Sequence, residues 1–321
     1  MTIEVIKAEK VVGAVLGALQ RDIVLPQLIW MDPGGDFTGA KNDTITLSIP
    51  AVTSSRKRTL RSGTTRSRDS LTEGKVSVTL DTNLYKDVEI TDEELTLDIA
   101  DFGRQVLQPI TRAMAEGWED EIADLMDGAS YAQEVAWDGD DPHGVFADCG
   151  LALDLARVPT SGRFIALGSR LANEAIKSDQ LRRWDSAGDS ASAALRNATI
   201  APIAGFDRVV TVPGLDPDAG YAFHRTAYAA TSKVPLVPQG VAWGTSMAYN
   251  GFAMRAIRQF DASADGWVDI LGFDAFVGSD IVRDHGEFNE STGVWEPAAD
   301  PQESSDLEFI RAVKITGGSG S

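Results

Sequence analysis

The chain has 321 residues, 43% of them apolar, which is enough for two modest domains or one elaborated one. Its net charge of −19 excludes nucleic-acid binding through the overall field of the protein. Cys149 is the only cysteine, so the sequence excludes an intramolecular disulfide and a multi-cysteine metal site and indicates a reducing compartment. No segment approaches the ~18 apolar residues that a membrane span requires.

The first elements in chain order are an N-terminal helix and a long hairpin. Apolar residues within 3–20 recur at helical spacing. Thr44–Pro50 alternates as a strand, and Lys75–Thr82 is its predicted hairpin partner. Thr53–Ser70 lies between them and is almost devoid of apolar residues, so this segment cannot form a core of its own and is predicted to be the exposed tip of the hairpin.

A long acidic helix is predicted next, from Ile99 to Met126, with a length of roughly 40 Å at about 1.5 Å per residue. Thr91–Glu94 has the pattern of a capping box, Pro109 is expected to bend the helix, and Gly128 is a plausible stop. Apolar residues at steps of four predict its buried stripe. That stripe is Phe102, Val106, Ile110, Met114, Trp118 and Ile122, continuing to Met126.

The rest of the chain alternates between loops, helices and strands. Residues 129–160 are predicted to be rich in loops. Strands are predicted at 163–167, 205–212, 253–261, 267–277 and 309–316, and helices at 169–177 and 190–197. The fold class is therefore α+β, with the middle of the chain, about 150–240, inserted between an early helix and late strands.

The sequence predicts no catalytic residue, no cofactor and no metal ion. His143 lies in an acidic turn whose spacing fails the calcium-loop pattern, and His224 lies in an apolar stretch typical of a core or interface residue. His285 and Glu287 resemble the opening of a deaminase zinc motif, but no paired cysteines follow. Nucleophile elbows, phosphate loops and dinucleotide fingerprints are absent from the sequence, so an enzyme is not indicated.

Charge is unevenly distributed along the chain. Residues 56–75 include seven basic residues and only two acidic ones, whereas residues 87–127 include thirteen acidic residues and only two arginines. These runs could be ordinary solvated surfaces, or the basic tip could bind nucleic acid, although it has no aromatic residue to stack on a base. A third interpretation is that the basic tip of one copy meets the acidic helix of another, because charge matching sets partner choice and register.

Three stretches resemble the major capsid, or coat, protein of tailed bacteriophages, which has the HK-ninety-seven-like fold. They are Val78–Tyr85 running on through Thr91-Asp-Glu-Glu-Leu-Thr-Leu-Asp-Ile99 to Met126, then Gly205-Phe-Asp207, and Val234-Pro-Leu-Val-Pro238. Within that family the resemblance is to the podovirus coat-type branch. Across the remaining chain the likeness is one of layout.

The resemblance implies an organisation of the chain. Residues 1–35 would form an N-terminal arm, 36–82 an extended loop, 83–149 a peripheral domain with a spine helix, 150–244 an axial domain, 245–316 the sheet of the peripheral domain, and 317–321 a flexible tail. The resemblance and the charge pattern together imply contacts between subunits. The expected basic side is Arg56, Lys57, Arg58, Arg61, Arg66 and Arg68, and the expected acidic side is Asp92, Glu93, Glu94, Glu116, Glu119 and Asp120.

The function implied is that of a structural protein assembling into hexamers and pentamers of an icosahedral phage head around double-stranded DNA, in the cytoplasm of a host bacterium. Expected partners are further copies of the chain, a separate scaffolding protein, a portal, and packaged DNA without sequence-specific contacts; no membrane is involved. The nearest alternative is the shell of a bacterial nanocompartment that encloses a cargo enzyme. A soluble α/β enzyme is a more distant alternative.

Overall fold

The computed structural model describes residues 24–33, 44–49, 60, 74–91, 106, 108–178, 203–241, 243–249, 252–263, 266–289, 291–297 and 307–317. Within these ranges the helices are α1 Leu25–Leu28, α2 Gln108–Gly128, α3 Pro142–Leu155 and α4 Ser169–Lys177. The strands are β1 Trp30–Pro33, β2 Thr44–Ile49, β3 Gly74–Thr79, β4 Thr82–Thr91, β5 Glu134–Ala136, β6 Arg163–Leu167, β7 Arg208–Thr211, β8 Ala219–His224, β9 Tyr228–Lys233, β10 Trp243–Tyr249, β11 Phe252–Ser263, β12 Gly266–Ile281, β13 Asp284–Phe288, β14 Trp295–Pro297, β15 Leu307–Glu308 and β16 Ala312–Thr316. The fold class is mixed α+β, as predicted.

The chain divides into two compact units, and the division crosses α2 between Leu125 and Met126. The first unit comprises Met1–Ile45, Val78–Leu125 and Ala229–Asp280, and the second comprises Thr46–Ser77, Met126–Tyr228 and Ile281–Ser321. None of the helices in the described ranges is both long enough and apolar enough to cross a membrane.

The first unit is built on a sheet in the order β1-β9-β12-β11-β10, with β4 paired to β12. α2 packs on one face of this sheet, where Trp118 contacts Phe252 at a ring-centroid distance of 5.3 Å. Met254 and Phe273 are fully buried on strands of the same sheet. Along β12 the buried residues Leu271, Phe273, Ala275 and Val277 alternate with more exposed ones, so one face of the strand supplies the core and the other faces outward.

The second unit has a five-stranded sheet in the order β5-β16-β8-β6-β7. Only β8 runs antiparallel to its neighbours, and the other four strands are parallel to one another. α3 and α4 contribute buried residues to one core with β6, β8 and β16. This helix layer on a largely parallel sheet is the α/β alternation that the sequence predicts for residues 163–212.

Residues 129–160 are not loop-rich, because α3 occupies half of them. Asp141 caps α3 by accepting a hydrogen bond from the Gly144 N–H at 2.8 Å, and Pro142 takes the first turn, where its missing N–H is harmless. Two glycines and a nearly continuous apolar run conceal the helical period in the sequence. His143 therefore belongs to a helix rather than to an acidic turn.

Strand pairing joins segments that the sequence analysis placed in different domains. β16, predicted within the peripheral sheet of residues 245–316, pairs instead with β8 and β5 of the second unit. The expected boundaries at 149/150 and 244/245 therefore do not coincide with the contact units. β10, β11 and β12 lie together in the first unit, and β2 pairs with β3 as the predicted hairpin.

The predicted start of the long helix differs from the structure. Thr91, predicted as a helix cap, is the last residue of β4 and pairs with Val268. Pro109 lies in the first turn of the described helix, and the helix ends at Gly128 as predicted. The predicted helices at 3–20 and 190–197, and the start of the long helix at residues 99–105, lie outside the described residues.

Candidate interaction surfaces

The outward face of α2 carries an acidic strip, defined here as Glu116, Asp120 and Asp124. The three residues are exposed and follow one another at steps of four, so they share one side of the helix. Partial burial, followed by the charges of Asp124 and Glu116, raises the pKa of Asp120. Arg112 pairs with Glu116 at 2.7 Å, and the carboxylates of Asp120 and Asp124 leave the strip negative. The strip is thus a surface on which like charges oppose one another.

Two other carboxylates of α2 form hydrogen bonds within their own chain. Glu119 accepts hydrogen bonds at Oε1 from the backbone N–H groups of Val24 at 2.5 Å and Leu25 at 3.2 Å, which fixes the start of α1. Glu121 accepts from the Thr82 hydroxyl at 3.3 Å, and partial burial raises its pKa against the effect of that bond. Glu119 was predicted as part of an inter-subunit surface, and the structure gives it an intrachain role as well.

The remaining residues expected at inter-subunit contacts lie outside the described ranges. They are Arg56, Lys57, Arg58, Arg61, Arg66, Arg68, Asp92, Glu93 and Glu94. Within the basic segment only Leu60 is described, and its side chain is 90% exposed. The predicted contact between the basic and acidic sets therefore lies outside the described residues.

The predicted stripe of the long helix lies in the core. Val106, Ile110, Met114, Trp118 and Ile122 are all buried, and Phe102 lies outside the described residues. Trp118 is 1% exposed and contacts Phe252. α2 therefore presents one face to the core of its own chain and an acidic face outward.

A patch of exposed apolar side chains on the sheet of the first unit was not predicted. This outer patch consists of Tyr85, Leu236 and Phe276. In the sheet, Asp274 on β12 is paired with Tyr85 on β4 and with Arg255 on β11. The Arg255 guanidinium binds the Asp274 carboxylate and also donates to the Leu236 backbone carbonyl. Leu236 is 90% exposed on this fixed support. The Pro-rich segment 234–238 was noted in the sequence, but its neighbours were not predictable from it.

A second unpredicted cluster lies in the second unit around Arg311. Its guanidinium contacts Asp284 through two bonds of 2.6 and 2.5 Å and donates to the Thr226 hydroxyl at 2.8 Å. Nδ1 of His224 accepts from the Thr226 N–H at 3.3 Å, and burial, together with Arg311 and Arg163, lowers the pKa of His224. The imidazole, whose Nδ1 lies 2.9 Å from the Thr226 hydroxyl, is thus part of a hydrogen-bonded network around Arg311.

Tyrosines fix the C-terminal end of α2 within the second unit. The Tyr131 hydroxyl donates to the Met126 carbonyl at 2.7 Å and lies 2.8 Å from the Tyr228 hydroxyl, while Tyr221 donates to Asp127. Burial raises the pKa of all three phenols, so they stay protonated as donors. These hydrogen bonds hold the C-terminal end of α2 in place, which is a structural role.

In the residues that the structure describes, no group of three or more His, Cys, Asp and Glu side chains could hold a metal ion. Burial raises the pKa of Cys149 to about 12, so its thiol is unreactive at neutral pH. The unusual features of the molecule are instead the exposed charged and apolar surfaces.

The model of the family described as phage capsid protein matches residues 73–298. The chain belongs to the phage capsid protein family. It is a structural major capsid protein, a component of the virion shell and not an enzyme, with the HK-ninety-seven-like fold. None of the curated proteins is significantly similar to it in sequence.

Solved capsid structures support the same fold for this phage capsid protein. The Mycobacterium phage Che8 structure is 18% identical, with a TM-score of 0.62 over 91% of this chain and 90% of that one. The capsid structure of the Cyanophage P-SCSP1u is 12% identical, with a TM-score of 0.60 over 93% and 89%. A virus-like particle from Pyrococcus furiosus is 9% identical, with a TM-score of 0.50 over 96% and 98%.

Proposed function

We propose that this capsid protein assembles into hexamers and pentamers of an icosahedral head that encloses double-stranded DNA. Membership of the phage capsid protein family is the observation that carries the proposal. Its net charge of −19 supports it, because an acidic wall repels DNA and lets the genome be packed without adhering to the shell. Assembly would take place in the cytoplasm of the host bacterium, with a separate scaffolding protein and a portal.

The proposal assigns parts to the chain. Residues 1–35 form an N-terminal arm and residues 36–82 an extended loop that reaches a neighbouring copy. The first unit, with the spine helix α2, serves as the peripheral domain, and the second unit serves as the axial domain at the capsomer centre. The division of the chain into two contact units, which change at 125/126, 228/229 and 280/281, supports two domains, although the same units also change at 45/46 and 77/78 within the proposed loop.

Neighbouring copies are joined in this proposal by charge. The basic residues Arg56, Lys57, Arg58, Arg61, Arg66 and Arg68 meet the acidic region around Asp92, Glu93, Glu94, Glu116, Glu119 and Asp120. The like charges of the acidic strip support this assignment, because a cation from outside would relieve their mutual repulsion. A single exposed ion pair contributes only about 0.2–1 kcal/mol, so the contact depends on repetition around the shell.

Reversing Arg56, Arg58 and Arg61 together to glutamate tests the contact. We expect a folded subunit that assembles poorly with its scaffold, and we expect salt to weaken the parent protein in the same way by screening over about 8–10 Å. A matched control reverses Arg208, Arg225 and Arg283, which are exposed and impose the same change in charge. Electron microscopy and light scattering measure the yield of particles.

The possible outcomes separate the alternatives. Normal assembly of the triple reversal at low salt contradicts the loop contact. Normal shells that fail to retain DNA would instead indicate that the loop binds nucleic acid. Purified parent particles should contain nuclease-protected DNA, and particles filled with a cargo enzyme would indicate a nanocompartment.

A further inference from the structure

Two helices of the second unit each expose one large apolar residue, which on α4 is the next-to-last residue of the helix. On α3, Leu151 is 56% exposed, although Phe146, Cys149 and Leu153 of the same helix are buried. On α4, Ile176 is 39% exposed, whereas Leu171, Ala172 and Ala175 are buried. Part of each side chain is therefore accessible to another copy of the chain.

The charges beside these residues are opposite. Asp148 lies three residues before Leu151 and is therefore on the same side of α3, and it is exposed. Lys177 adjoins Ile176 and is likewise exposed. In the described part of the chain neither charge has an ion pair. The α3 face therefore offers Leu151 with Asp148 beside it, while Asp154 on the same side is paired with Arg163 at 2.7 Å. The α4 face offers Ile176 next to Lys177.

We propose that, between adjacent copies of the chain, the outward face of α3 packs against the outward face of α4, with Leu151 on Ile176 and Asp148 beside Lys177. The inference rests on the proposed function, which supplies a shell of identical copies, and it names the surfaces that join them in the second unit.

Charge disfavours contacts between two copies of the same helix. An α3 face packed on another α3 face would place Asp148 against Asp148, and two α4 faces would oppose two lysines. Like charges placed together at an interface disfavour a partner, whereas opposite charges select it. A contact between the two different faces closes into a ring when it repeats head to tail and the rotation between copies permits, whereas a two-fold contact would pair α3 with α4 twice and stop at a dimer.

Cysteine pairs test the geometry. The native Cys149 is buried, so cross-links form at introduced cysteines only. In assembled particles, a chain carrying both Leu151→Cys and Ile176→Cys is expected to give, with a short bis-maleimide, a ladder of covalent oligomers that ends at the closed ring. Each single variant is expected to remain monomeric. Cross-linked dimers from a single variant would indicate a symmetric contact and overturn the proposal.

Charge exchange tests the energetics independently. Asp148→Lys and Lys177→Asp should each lower the yield of shells several-fold, and the double exchange should restore it, because the pair is then re-formed with its polarity reversed. Thermal unfolding of each variant shows that its fold is intact. Unchanged assembly of both single variants, or failure of the double exchange to restore assembly of well-folded subunits, overturns the proposal.

These results are separable from the proposed function. If the parent protein forms shells but the double-cysteine protein gives no ladder, only the α3–α4 contact is wrong. If the parent protein forms no particles with its scaffold, the capsid function itself is contradicted.

Discussion

The two faces of α2 differ in how their side chains are used. Ile110, Met114, Trp118 and Ile122 lie on one face and are at most 3% exposed. Glu116, Asp120 and Asp124 lie on the other, exposed and repelling one another. The buried face is covered by its own chain, whereas the acidic face is exposed. The comparison teaches that the stabilising part of this helix and its proposed contact surface can be altered separately.

Trp118→Ala is expected to have the largest effect. Removal of a fully buried indole that packs on Phe252 should lower the free energy of unfolding by about 3–5 kcal/mol. Denaturant unfolding of unassembled subunits measures the change. Leu236→Ala is the control, because Leu236 is 90% exposed and its truncation should leave stability nearly unchanged. Equal stability of parent and Trp118→Ala would mean that the buried stripe is wrongly assigned.

Glu119→Ala is expected to have an intermediate effect, because Glu119 lies between the two faces and bonds to the start of α1. Two backbone N–H groups lose a charged acceptor, which should lower the free energy of unfolding by about 1.5–3 kcal/mol. Glu119→Gln keeps a carbonyl acceptor and should lose less. Hydrogen exchange at Val24 and Leu25 reports the change directly. Unaltered exchange there would show that Glu119 does not hold α1.

Asp120→Asn is expected to have the smallest effect on the fold and the opposite sign. The substitution removes the repulsion of Asp120 with Glu116 and with Asp124, which lie four residues away on either side. Each such like-charge pair destabilises a helix by about 0.2–0.5 kcal/mol. The subunit should therefore become slightly more stable at neutral pH and low salt. Asp140→Asn, exposed but away from α2, is the control. Under the proposed function the same substitution should weaken assembly, which light scattering measures.

The sign of the pH dependence follows from the raised pKa of Asp120. The pKa of Asp120 in the folded state lies above the unfolded value near 3.8, so protonation of this carboxyl stabilises the folded state. That stabilisation is fully present below the unfolded pKa and is lost as the pH rises through the folded pKa. The gain from Asp120→Asn should therefore vanish at acid pH. A gain that persists there would mean that charge is not its cause.

The sequence by itself determined the features that depend on local period. Apolar residues at steps of four fixed the buried face of α2, Gly128 fixed its end, and alternation located β2, β3, β11 and β12. These predictions succeed because a helix or a strand places residues at a fixed spacing on one face. α3 was missed because apolar residues nearly surround it, so the sequence has little period to detect.

Only the tertiary structure decided which distant residues meet. β16 pairs with β8, almost a hundred residues earlier, and nothing local in either strand specifies that partner. Adjacent carboxylates of α2 have different fates, since Glu119 bonds to α1 while Asp120 faces outward. A carboxylate's use depends on which donors the fold brings within about 3 Å of it, and that distance is set by packing over the whole chain rather than by the neighbouring sequence.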